Sequence, residues 1–196
     1  MNTKMLATII IFVSLAAAID AFVPKIPFPV PLYSYLYYNL WEIPVVVIFM
    51  LYGLKSAIPV AVLNAFILVI IFPGNLISGP FYNLIAVLSM LLGVFAGYKI
   101  ATYRCPQETL LQFMKKHQLG LGISMTALGI TTRVLITTIT NYYLIAQPPP
   151  IGFSFPHGVV LAFLPFSALF NATQALLTIP LALVTSIAVI SALKIK

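Results

Sequence analysis

The chain has 196 residues, of which 62% are hydrophobic and only 7% charged, with ten Lys or Arg against three Asp or Glu. Soluble domains carry about 25% charged residues, so an ordinary water-soluble domain is excluded, and a mean hydropathy of +1.10 agrees. The net charge of +7 sits mostly at segment ends, where it reads as a topology signal rather than as a nucleic-acid surface.

The first apolar stretch, 5–23, follows Lys4 and contains Ala16, Ala17 and Ala18. A cleaved signal peptide is the alternative reading. Because the apolar character continues through Phe22 and Val23, the segment reads as an uncleaved first helix. Residues 24–42 hold Pro24, Pro27, Pro29 and Pro31, which forbid a regular helix. Tyr33, Tyr35, Tyr37, Tyr38 and Trp41 follow, residues that favour the headgroup layer. This is a long amphipathic loop lying on or dipping into one membrane face.

Glu42 and Pro44 suit a helix start, the carboxylate meeting the positive dipole end and the proline needing no N–H there. One helix over 43–72 would reach about 45 Å, against a hydrocarbon core of roughly 30 Å. It would also bury Lys55 in mid-membrane, so the stretch reads as a hairpin of two helices, 43–54 and 56–72, with Lys55 at the turn. Residues 73–80 are a turn by composition, and 81–101 form the fourth helix. The hydrophilic stretch 103–118 reads as a short interfacial amphipathic helix. The fifth helix covers 119–146, interrupted in polarity by Arg133. After a proline-rich loop the sixth covers 159–195, with a break near Pro165 and a bend near Pro180.

The expected architecture is therefore an all-α membrane protein, one domain of six transmembrane helices with both termini cytoplasmic. It places Lys4, Lys55, Lys99, Arg104, Lys115, Lys116, Lys194 and Lys196 inside and only Lys25 outside. A five-span chain scores nearly as well on charge, and Lys55 decides between them.

Embedded polar residues narrow the function. Arg133, Thr137 and Asn141 recur every four residues and line one face of the fifth helix, with Tyr142 and Tyr143 extending that face outward. The functional reading is a ligand pocket open to the outside; the structural one is an arginine holding helix carbonyls. Asn64, Asn83, Ser167, Asn171 and Gln174 are further candidates, each alone as consistent with an interhelical hydrogen bond. Together they are neutral donors and acceptors among aromatics, suited to an uncharged ring compound rather than an ion. On the first helix Ser14/Ala18 and Ala17/Ala21 are small-residue pairs that let another helix approach.

No catalytic residues, metal ligands, cofactor site or nucleotide loop emerge. The single Cys105 excludes an internal disulfide, His117 and His157 lie in or beside loops, and no GxxxxGK[ST] motif occurs. The chain does not read as an enzyme.

Several short motifs, in segment order from about Ala16 onward, resemble the substrate-binding S components of energy-coupling factor (ECF) vitamin transporters, most nearly the riboflavin-specific branch. Ala17/Ala21 resembles the family's surface for its transmembrane coupling subunit, and Glu42-Ile43-Pro44 its second-helix start. Leu63-Asn64, Gly79-Pro80, Asn141-Tyr142-Tyr143 and Leu164-Pro165-Phe166 are similar to further family segments. Ser167 and Phe170 depart from it, standing where that branch has asparagine and lysine as ligand contacts. The resemblance implies a cell-membrane subunit that captures riboflavin or a related vitamin outside, under the 24–42 lid. It would then deliver the ligand through a coupling subunit and two ATPase subunits. The implied contacts are Asn141, Tyr142 and Asn64, with Arg133, Asn83, Ser167 and Asn171 as further candidates. A non-transporting membrane assembly subunit and a self-sufficient carrier are the alternatives.

Overall fold

The computed structural model describes residues 3–30, 36–71, 78–103, 113–114 and 116–193. Six helices follow in chain order: α1 (Thr3–Phe22), α2 (Glu42–Tyr52), α3 (Leu54–Ile71), α4 (Ser78–Thr102), α5 (Gln118–Leu144) and α6 (His157–Leu193). Between α1 and α2 lies a two-stranded antiparallel ribbon, β1 (Ile26–Pro27) and β2 (Tyr37–Tyr38), with Ile26 opposite Tyr38. The turn expected at 73–80 falls mostly outside the described residues, as do most of the interfacial segment 103–118, the centre of the lid and Lys194 to Lys196.

Five helices (all but α2) are long and apolar enough to cross a membrane, and the chain is a multi-pass membrane protein. The 11 residues of α2 reach only about 16 Å. Its apolar run has no helical period because nearly every face is covered: Glu42 and Pro44 to Met50 are all buried. The sequence counts α2 as a span, whereas by length it is a short core helix enclosed by the others.

The break between α2 and α3 falls at Gly53, two residues before Lys55. Gly53 has φ +81°, a conformation that side chains rarely adopt. Phe49 of α2 packs edge-on against Phe95 and Tyr98 of α4, so Gly53 lies at the Lys99 end of the bundle. From there α3 must return to reach the start of α4, which makes the pair a hairpin. Lys55 is exposed at that same end. The expected break at Pro165 is absent, since α6 runs unbroken for 37 residues through Pro165 and Pro180. A proline in a membrane helix forfeits one backbone hydrogen bond, and neighbouring packing holds the rest in place.

Helices α4 and α5 approach most closely, in antiparallel register. Thr132 Oγ1 donates to the Ser89 carbonyl at 2.8 Å, and Ser124 Oγ to the Gly97 carbonyl at 3.3 Å. A Cβ at Gly93 would run into the Leu128 carbonyl and Thr132 Oγ1, and one at Gly97 into the backbone of Ser124 and Met125. Gly93 and Gly97 thus form a GxxxG contact, which lets backbones meet where no hydrophobic effect drives helices together. On α5 the buried residues are Leu121, Met125, Gly129, Arg133, Thr137 and Asn141, an unbroken every-fourth-residue stripe. Antiparallel α6 faces it with Asn171 opposite Arg133 and Ser167 opposite Asn141.

The close α4–α5 approach predicts that Gly93→Ala destabilises by about 1–3 kcal/mol through overpacking. Gly120→Ala, with nothing within 4 Å of the new methyl group, should be neutral or stabilising by up to about 1 kcal/mol through helix propensity. Thermal unfolding in detergent measures both, and equal melting temperatures for the two variants would contradict the tight contact.

Candidate functional site

The polar residues of α5 and α6 join into one hydrogen-bonded chain through the middle of the bundle. Asn141 Nδ2 donates to Ser167 Oγ at 2.6 Å, and Asn171 Nδ2 donates to the Ser167 carbonyl at 2.9 Å. Arg133 Nε donates to Asn171 Oδ1 at 2.9 Å. The guanidinium then meets Glu42 in a two-pronged pair, Nη1 to Oε2 at 2.6 Å and Nη2 to Oε1 at 3.0 Å. The Met90 sulfur lies 3.5 Å from Nη1. Glu42 is 0% and Arg133 1% exposed, so both charges are fully withdrawn from solvent.

This changes the role of two residues. Glu42 suits a helix start by type, yet its carboxylate turns inward to the arginine and the N-cap position has no side-chain cap. Arg133, expected to face an open pocket or helix carbonyls, is instead bound to Glu42 and Asn171. Desolvating each ion costs several kcal/mol, offset only when geometry is good and the remaining donors are satisfied. The two-pronged contact plus Asn171 meets that condition and leaves the chain electrically neutral.

Beside this chain packs the segment between α1 and α2, read from the sequence as a lid. Phe28, 4% exposed, enters an aromatic cluster with Ile145, Val160, Phe163 and Phe170. Its ring lies 5.6 Å from Phe170 and 6.2 Å from Tyr38, both edge-on, and Tyr38 lies 5.5 Å from Phe170. The base of the lid is tied to α6. Tyr38 Oη and Thr173 Oγ1 share a hydrogen bond of 3.0 Å. Gln174 accepts from the Asn39 N–H and donates to the Asn39 carbonyl, each at 2.9 Å, as a neighbouring strand would. The loop between α5 and α6 is tethered to α4 by Tyr82, whose hydroxyl donates to the Ile151 carbonyl at 3.2 Å and whose ring stacks on Phe153.

The structure brings Arg133, Asn141, Ser167 and Asn171 together and sets the others apart. Gln174 belongs to the lid base. Tyr142 is exposed at the rim, beside Tyr143 and His157. Asn83 is half-buried near the start of α4. Asn64 is wholly buried on α3, as far past Gly53 as Glu42 lies before it, which puts the two at similar depth. Neither amide atom of Asn64 has a hydrogen-bond partner among the described residues, nor does Trp41 Nε1. Such groups in an apolar interior are costly unless a polar partner reaches them. Between α1 and the lid base is a cleft of about 10 Å³, lined by Ile19, Asp20, Lys25, Tyr38 and Asn39, with room for one water-sized group.

Glu42, Phe28 and the Gly93/Gly97 pair were not singled out by sequence as parts of these contacts. A lone carboxylate in an otherwise charge-free run is the signal that could have paired Glu42 with Arg133.

If the ion pair carries its own weight in the bundle, Glu42→Gln or Arg133→Met alone should destabilise by about 3–5 kcal/mol, because each leaves its partner buried and uncompensated. The double replacement Glu42→Met with Arg133→Leu should recover most of that loss. Melting temperatures that simply add across the two sites would show the groups to be uncoupled.

No protein-family model and no curated protein matches the sequence. Among solved structures, the chain is similar to one described as "Structure and mechanism of the S component of a bacterial ECF transporter", with a TM-score of 0.66 at 21% identity. The match covers 99% of this chain and 97% of that one, so the two share a fold over essentially their whole lengths.

Proposed function

We propose that the protein is the substrate-capture subunit of an ECF-type transporter, binding riboflavin or a related aromatic vitamin from outside the cell. The observation that carries this reading is the neutral chain Asn141–Ser167–Asn171 beneath an aromatic lid, within a fold similar to an S component. Neutral donors and acceptors beside stacked rings suit a flat, uncharged compound, with aromatic faces supplying affinity and amides fixing orientation. The unmet polar atoms of Asn64 and Trp41 fit the same chemistry.

In this reading the chain lies in the cell membrane with six helices, both termini cytoplasmic and the lid outside. Lys55 and Lys99 share the inner end. Helix α1 would meet a transmembrane coupling subunit that works with two ATPase subunits. It is the least enclosed span, with 17% of its 18-residue apolar window buried against 28–44% in the other four. Ser14, Ala18 and Ala21 are exposed and Ala17 is half-buried, giving a small-residue face that a partner helix can approach.

The buried Glu42–Arg133 pair favours one other reading, a non-transporting assembly subunit whose polar residues only tie helices together. A thermal-shift screen of the purified protein against vitamins separates the two. A ligand at roughly a thousandfold excess over its Kd stabilises by about 4 kcal/mol, and riboflavin is expected to be a hit. Asn141→Ala should then weaken riboflavin binding by about 1–3 kcal/mol, the cost of an unmet hydrogen bond, with a smaller loss of stability. No shift with any vitamin, and an Asn141 effect on stability alone, would favour the assembly subunit.

A further inference from the structure

We propose that Lys55 and Lys99, at one end of the bundle, bind the phosphate headgroup of an anionic phospholipid whose acyl chains run along the apolar side chains beside them. The inference goes beyond the capture function and does not depend on which ligand the protein carries.

Three observations carry it. The first is that basic residues from adjoining elements converge on this end. Helix α3 packs beside α4 and runs against it, so Lys55 near the start of one lies level with Lys99 near the end of the other. Helix α1 packs on α3 and begins at the same end, since its other end lines the cleft beside Tyr38 and Asn39, which places Lys4 here. Lys116 precedes α5, which is antiparallel to α4, and so joins them. All four lysines are exposed.

The second is that no carboxylate among the described residues balances Lys55 and Lys99. Of the three acidic residues of the chain, Asp20 lies at the opposite end, 3.8 Å from Lys25, and Glu42 is buried against Arg133. Glu108 falls outside the described residues. Lys55 also stands in the first turn of α3, where the helix dipole disfavours a cation. Lys99 Nζ lies 5.7 Å from the centre of the Phe95 ring, a contact that holds the ammonium in place without cancelling its charge. One anion shared between the two helices would offset both charges.

The third concerns what surrounds the pair. Tyr52 ends α2 here and Tyr103 follows α4, both exposed, and tyrosine favours the headgroup layer. Ile58 lies about one turn beyond Lys55, and Ile100 stands next to Lys99, both exposed as well. A phosphate that carries acyl chains meets the lysines and these side chains together, whereas a soluble phosphate meets the charge alone. Basic places between membrane helices recognise anionic headgroups in this way.

Native mass spectrometry of the purified protein with an equimolar mixture of phosphatidylglycerol and phosphatidylcholine tests the inference. Wild type should retain phosphatidylglycerol in preference. Each lysine near a lipid surface contributes about fivefold, so Lys55→Gln with Lys99→Gln should weaken phosphatidylglycerol binding about 25-fold. Lys55→Arg with Lys99→Arg should keep the preference, as should Lys25→Gln at the opposite end. Melting temperatures in phosphatidylcholine should match wild type in both Lys55/Lys99 double variants, because the two lysines are exposed. Equal retention of the two lipids by wild type would overturn the proposal. So would an undiminished preference in the double glutamine variant, which would leave these lysines to an acidic protein partner. Displacement of phosphatidylglycerol by millimolar inorganic phosphate would make this a soluble-anion site and overturn it as well. Riboflavin binding decides the capture function separately from all of these results.

Discussion

The buried pair between Glu42 and Arg133 is the constraint around which the bundle is organised. It joins the first residue of α2 to the middle of α5, and through Asn171 it takes in α6. An arginine at the centre of a membrane helix costs about 2.5–3.5 kcal/mol to insert, and a carboxylate held among apolar side chains is no cheaper. Neither is tolerable alone, so each dictates where the other must be. Because α2 is too short to span, its depth and direction follow from this contact. The lid attached to its start is positioned by the same contact.

Once the charges cancel, what remains is a neutral polar seam capped by rings. Gln174 pins Asn39 by imitating a strand partner, and Phe28, Tyr38 and Phe170 meet as a three-ring cluster beside it. The strong, directional interactions therefore lie low in the site, at the ion pair and the seam. The weaker, less directional ring contacts of Phe28, Tyr38 and Phe170 lie beside the seam.

The helices were largely legible because hydropathy and proline placement report directly on bilayer thickness. Lys55 marked the place where the run 43–72 divides, and the structure breaks it two residues earlier, at Gly53. The four-residue recurrence of Arg133, Thr137 and Asn141 was equally readable and proves to be part of a six-residue stripe. The pairing of Arg133 was not readable. Glu42 lies 91 positions away and has a sufficient local explanation as a helix start. Phe28 was hidden in the same way, since in a proline-rich run one phenylalanine looks like any interfacial residue. The Pro165 break failed for a different reason: propensity reads a proline as a stop, while the loss of one backbone hydrogen bond leaves the 37-residue helix α6 continuous through it.

The most direct measurement is an experimental structure of the protein bound to its ligand. The account predicts a flat, uncharged vitamin with its edge bonded to the Asn141–Ser167–Asn171 seam and the Glu42–Arg133 pair intact. A ligand paired directly with Arg133, with Glu42 swung away, would contradict it.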